Sequence, residues 1–166
     1  MHFPSGGNPI QCRIRAFKVL NELAEGLSNT GLVVAAGDFN FNCAEAQSNA
    51  FARLLQRGNW DASPLVTHGC AAPGSNKYVD RLIYNWNTWS FLDMILVSRE
   101  LSPTQLSAKN WFADLGSFST LAVHPDQWQV DERDEGYIEP RRYNPATGRG
   151  VSDHWPVALR LLKRRR

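Results

Sequence analysis

The feature that most constrains this chain is the place where one apolar run stops. Residues 33 to 42 read VVAAGDFNFN, so a segment of β-branched and small apolar residues ends on a glycine, a carboxylate and an amide. Gly31 precedes the run, and Leu32 to Ala36 predict a short strand whose unbroken apolar character implies cover on both faces. Such a strand requires a layered domain around it. Asp38 and Asn40 then stand at its end, where they serve either a turn or chemistry, since both residue types favour turns after strands.

The remaining elements predict how that strand is covered. Ile14, Phe17, Leu20, Leu23, Ala24 and Leu27 recur at three- and four-residue spacing, so residues 8 to 27 predict an amphipathic helix. Arg13, Arg15 and Lys18 are interspersed, and Arg13 is expected on the exposed side. A second helix is expected from Ala44 to Arg57, with Phe51, Leu54 and Leu55 inward and Gly58 ending it. SFLDMILVS (90 to 98) and WPVALRLL (155 to 162) read as further core strands. From Val123 to Val151 the periodicity vanishes, and a loop of that length is usually functional or mobile. The mixture predicts an α+β fold with helices outside a sheet.

Composition excludes several classes. The chain has 166 residues, 43% of them hydrophobic and 20% charged, which suits one folded domain and argues against disorder. No apolar run approaches the ~20 residues a membrane-spanning helix needs. MHFPSGGNP has neither a basic segment nor an apolar one, so no signal peptide is expected in this chain; the compartment is left open. The net charge of +2 owes four positive charges to Lys163, Arg164, Arg165 and Arg166, so the body is slightly acidic and shows no strongly basic nucleic-acid groove. Cys12, Cys43 and Cys70 lack metal-ligand spacing and are expected to be small core residues, with neither a zinc site nor a disulfide framework.

Polar residues recur where strands begin or end. Asp38 and Asn40 follow the first strand, Asp93 interrupts another, and Asp153 with His154 immediately precedes the last. A carboxylate within a strand is costly unless something pairs with it, and His154 is the natural partner for Asp93. Each motif alone has a plain reading as a turn or a local backbone bond. The three together, in this order, are far more specific.

That constellation resembles the endonuclease/exonuclease/phosphatase superfamily, whose members include pancreatic-type DNases, abasic-site endonucleases, neutral sphingomyelinases and inositol polyphosphate 5-phosphatases. The matching stretches are HFPSGG at 2 to 7, GDFN at 37 to 40, FLDMILVS at 91 to 98 and SDHWPV at 152 to 157. The resemblance implies a four-layer α/β/β/α sandwich and metal-dependent hydrolysis of phosphate esters, nuclease-like and directed most readily at phosphodiesters. It implies that Asp38 orients or activates water, Asn40 contacts a phosphate oxygen, and His154 stabilises the phosphoryl oxygens while Asp93 orients it. It further implies that Asp153 lies in the metal shell, with Mg²⁺ or Mn²⁺ as the ion, and that His2 gives acid or electrostatic assistance.

The resemblance also carries a departure. The family's larger N-terminal part supplies a metal-binding Glu, and no Glu here has a matching strand context: Glu22, Glu25 and Glu45 fall on expected helices, Glu132, Glu135 and Glu139 in the loop. Residues 1 to 166 therefore read as the C-terminal portion of such a domain, expected to expose apolar sheet surface and so to dimerise, to associate with the N-terminal part or to be poorly soluble alone. Substrates left open are nucleic acid, a lipid headgroup or a small phosphate ester. YNWNTWSF at 84 to 91 could stack bases or simply pack. A non-catalytic remnant is the alternative from another class. A serine hydrolase built on Ser152 and His154 lacks the GxSxG elbow.

Overall fold

The computed structural model describes residues 1–28, 32–68, 76–80, 85–102, 110–121, 123–130 and 138–164. Helix α1 (Ile10–Ser28) leads into strand β1 (Val34–Asp38), followed by α2 (Cys43–Ala46), α3 (Asn49–Arg57), β2 (Trp60–Ala62) and α4 (Pro64–His68). The remaining strands are β3 (Asn76–Asp80), β4 (Asn85–Ser90), β5 (Asp93–Ser98), β6 (Trp111–Thr120), β7 (Trp128–Val130), β8 (Ile138–Pro140) and β9 (Val157–Lys163). They form an antiparallel sheet in the order β1-β5-β2 and the pairs β3-β4, β6-β9 and β7-β8. The fold is α+β.

The core is aromatic and lies under the turn that follows β1. Phe17 of α1, Phe39, Phe41 and Phe51 of α3 are fully buried. Their rings meet in tilted and edge-to-face pairs, 5.1 Å apart for Phe41–Phe51 and 5.7 Å for Phe17–Phe51. Phe3 stacks on Phe39 at 4.9 Å and anchors the N-terminal segment to the same cluster. Because Phe39 and Phe41 both point into this core, the residues flanking them, Asp38 and Asn40, are held at its margin. Hydrophobic burial thus fixes the polar ones.

Several elements differ from expectation. β1 is not covered on both faces: Ala35 is buried but Val34 and Ala36 are exposed, because the small second cluster of Val97, Leu101 and Ala113 covers the neighbouring β5 on that face and leaves β1 open. In α1, Phe17, Leu20 and Ala24 face the core, whereas Leu23 is 61% and Leu27 53% exposed. Those two continue a separate stripe from Val19 at four-residue spacing and point away. The expected second helix is two helices, since the Ser48 side chain accepts the Phe51 N–H and starts α3 anew. Cys12 is free and half-buried, and Cys43 is buried as expected of a core residue, yet it is disulfide-bonded. Cys70, Glu132, Glu135, Arg165, Arg166 and the side chains of Trp86, Trp89 and Glu139 lie outside the described residues.

The stretch that showed no periodicity is partly ordered by short-range bonds. A 3₁₀ turn, Pro125–Gln127, precedes the β7-β8 pair, and a tight hairpin closes through the Asn144–Arg149 bridge. Among the described residues no helix is long and apolar enough to cross a membrane.

Candidate active site

The antiparallel register of β1 and β5 places Asp38 directly opposite Asp93, so two carboxylates face one another at the same end of the sheet. Asp93 starts β5 rather than interrupting it. His154 reaches the pair from the loop before β9, and its Nδ1 donates to Asp93 Oδ2 at 2.7 Å. Donor atoms of Asp38, Asp93 and His154 all lie within 4.8 Å of one another.

The N-terminal segment completes the floor. His2 forms a parallel bridge with Asp38, the Met1 carbonyl accepts from the Asp38 N–H at 3.1 Å, and the Phe3 N–H donates to the Asp38 carbonyl at 2.8 Å. His2 Nε2 lies 3.4 Å from Asp38 Oδ2, with its ring largely in solvent. Gly37 makes this approach feasible: its φ is +144°, and a Cβ there would come within 2.1 Å of the Met1 carbonyl oxygen. Asn40, at φ 53°, donates its backbone N–H to Asp38 Oδ1 at 2.8 Å and its side-chain amide to the Phe3 carbonyl at 3.0 Å. The Asx-turn reading and the site reading of GDFN therefore coexist in one structure.

Arg13 overturns the expectation that it is exposed. Its side chain is 3% exposed, donates from Nη1 to the carbonyls of Ser5 (3.2 Å) and Asn8 (3.1 Å), and pairs through Nη2 with Glu45. The guanidinium also lies over the Phe41 ring, 5.8 Å from its centroid. One cation thus ties the loop after His2 to α1 and α2. Glu45 in turn closes a capping box with Asn42 at the start of α2.

The electrostatics follow from these contacts. Burial holds the Asp38 carboxyl above its ordinary range, reinforced by the Asp93 carboxylate and opposed by the Asn40 N–H and both histidines. The hydrogen bond to Asp93 raises the His154 imidazolium, against a smaller opposing effect of burial. Burial pushes Asp153 up, but the Arg142 hydrogen bond and nearby positive charge outweigh it and the carboxyl ends below its ordinary range. Asp153 is not one of the three residues within 4.8 Å of one another, but its charge reaches His154; its Oδ2 lies 2.6 Å from Arg142 Nη2.

A model of the Endonuclease/Exonuclease/phosphatase family matches residues 1–154. The chain belongs to this family. No curated protein matches its sequence. Among solved structures it resembles a mannosyl-6-phosphatase of Bacteroides thetaiotaomicron, at 20% identity and a TM-score of 0.54, covering 97% of this chain and 49% of that one. A family protein of the same organism matches at 19% identity and a TM-score of 0.54, covering 96% and 47%. A beta toxin of Staphylococcus aureus matches at 18% and 0.50, covering 96% and 49%. The chain spans about half the length of these structures, and at such identity the likeness speaks for the fold.

Of the residues expected from sequence, His2, Asp38, Asn40, Asp93 and His154 come together at one end of the β1-β5 pair. Asp153 lies beside them on the rim. Sequence reasoning missed two arginines: Arg13 as a buried brace, and Arg142, which sits in a charge-mixed loop where no periodicity singles it out.

Proposed function

We propose that residues 1–166 carry the phosphoryl-handling portion of a divalent-metal-dependent phosphoesterase, with the family's N-terminal part supplying a further metal-binding Glu. The observation that carries this reading is the joint placement of Asp38, Asp93 and His154 at one strand end. Phosphate-ester hydrolysis depends mainly on positioning and on stabilising charge on the phosphoryl oxygens.

In this reading the half-buried carboxyl of Asp38, raised above its ordinary range, orients water and takes its proton. His154, oriented by Asp93 and with its cationic form favoured by that hydrogen bond, donates to a phosphoryl oxygen. Asn40 braces the turn and lends its amide to the phosphate, and His2 adds electrostatic help to Asp38. The carboxylates at this strand end, Asp38 and Asp93 with Asp153 on the rim, suit a hard divalent cation such as Mg²⁺ or Mn²⁺, which leaves His154 as a donor to the phosphate. Bound there, such an ion would neutralise phosphate charge.

Phosphodiester hydrolysis, nuclease-like, is the reading favoured by the motifs; likeness to a mannosyl-6-phosphatase favours a phosphomonoester. Exposed Val34 on β1, and Leu161 and Leu162 on β9 of the separate β6-β9 pair, fit sheet surfaces that associate with a further part of the domain or with a second copy. The test is hydrolysis of bis(p-nitrophenyl) phosphate and p-nitrophenyl phosphate with Mg²⁺ or Mn²⁺, with EDTA, and in Asp38→Ala and His154→Ala. Metal-dependent turnover lost in both variants is expected. Full activity in His154→Ala would remove the mechanism, and silence even with the family's N-terminal part supplied would favour a non-catalytic remnant.

A further inference from the structure

The hairpin between β8 and β9 is built with more care than its one ion pair warrants. The Arg141 N–H donates to the Gln127 carbonyl at 2.9 Å, and the Val151 N–H returns to the Arg141 carbonyl at 3.0 Å. At the tip the Asn144 N–H bonds the Arg149 carbonyl at 2.8 Å, and Asn144 Oδ1 accepts the Ala146 N–H. Gly150, at φ +84°, lets the Arg142 carbonyl approach so closely that a Cβ would lie 2.2 Å from it. Trp155, buried beside His154, donates its Nε1 to the same Gln127 carbonyl. The backbone of Arg142 is thereby fixed relative to His154.

The side chain is not. Arg142 is 79% exposed and places one nitrogen, Nη2, on one oxygen of Asp153, itself 47% exposed. A single exposed pair of this kind stabilises a fold very little, so the ordered backbone is out of proportion to it. A guanidinium has five N–H groups in a fork that matches phosphate oxygens, and a single-point contact leaves most of that fork for a second anion. Asp153 follows Ser152 directly before His154 and lies close enough for their charges to interact, so its partner Arg142 is held on the same side of the Asp38–Asp93–His154 group.

We propose that Arg142 is a specificity-determining residue that takes peripheral oxygens of the substrate phosphate and so favours a phosphomonoester dianion over a phosphodiester monoanion. The inference rests on the phosphoesterase reading and deepens it. A cation attracts a doubly charged group about twice as strongly as a singly charged one at equal distance. A monoester offers three peripheral oxygens, so one can accept from His154 while others meet the guanidinium; a diester offers two. Asp153 holds the fork until the anion arrives.

The test is calorimetric titration with phenyl phosphate and with diphenyl phosphate, in Mg²⁺, of the wild type, Arg142→Gln and Arg142→Lys. The wild type is expected to bind the monoester more tightly. Arg142→Gln should weaken monoester binding about tenfold or more while changing diester binding far less, and Lys should restore part of the loss. Equal losses for both esters, or no loss for either, would overturn the assignment of Arg142 and leave the phosphoesterase reading standing. Failure of the wild type to bind either ester even with the family's N-terminal part supplied would overturn both. Unchanged circular dichroism in the Lys variant keeps the comparison interpretable if the Gln variant folds poorly.

Discussion

Two arginines each pair with a carboxylate close to the same site, and their surroundings give them opposite work. Arg13 is 3% exposed, spans three partners and lies over an aromatic ring; Arg142 is 79% exposed and touches one oxygen. Removing water around Arg13 makes each of its bonds matter, because a buried charge left unpaired is expensive. Its Nε is already buried without a hydrogen-bond partner, a cost the other contacts offset. The difference teaches that ion-pair geometry alone does not reveal a role. Desolvation does: the buried cation sets the floor of the site, and the wet one remains available to a ligand.

The sharpest way to break the comparison is Arg13→Ala. It strands Glu45 and the carbonyls of Ser5 and Asn8, and should cost about 3 kcal/mol or more of stability, read as a loss on the order of 10 °C in thermal melting. A melting point within a degree or two of wild type would show that the buried arginine is as dispensable as the exposed one.

Next comes the floor chemistry that Arg13 supports. Asp93→Asn removes the first cause holding the His154 imidazolium up. The His154 titration seen by NMR should therefore move to lower pH, and turnover should fall roughly 10²-fold or more. The sign of the pH profile follows. With Asp93 present, the cationic form of His154 persists above its ordinary range and is lost as pH rises through the raised value; Asp38 must lose its proton, so the acid limb also lies above the ordinary Asp range. In Asp93→Asn the alkaline limb should retreat while the acid limb, set first by burial of Asp38, moves less.

On the rim the effects shrink. Gly150→Ala forces a Cβ against the Arg142 carbonyl at positive φ and should cost about 1–2 kcal/mol, measured by denaturant unfolding. A neutral result would mean that the hairpin gives way easily and does not fix Arg142. Smallest of all, Arg142→Gln should change stability by less than about 1 kcal/mol, so its melting curve should overlay that of the wild type. A large destabilisation would make Arg142 a second structural arginine and erase the contrast with Arg13.

The readable parts of this protein were those in which local chemistry and periodicity agree. Phe17, Leu20 and Ala24 announce α1 by spacing, and the polar residues at strand ends announce the candidate site by their contradiction of an apolar pattern. The continuity of Val33, Val34, Ala35 and Ala36 misled about cover, because a sequence records that residues are apolar and not that something packs on them. Ser48 was a helix start hidden inside a helical pattern, visible only once its hydroxyl accepts the Phe51 N–H.

By itself the sequence determined the family motifs, the α+β character and five of the residues that meet beside the β1-β5 strand ends, because each lies in a short segment whose chemistry is unusual for its place. Only the tertiary structure decided that Asp38 stands opposite Asp93, that His154 closes on that pair across 61 residues of chain, and which arginine is buried. Strand register, burial and the desolvation of a charge are properties of contacts between distant segments, and no local pattern encodes them.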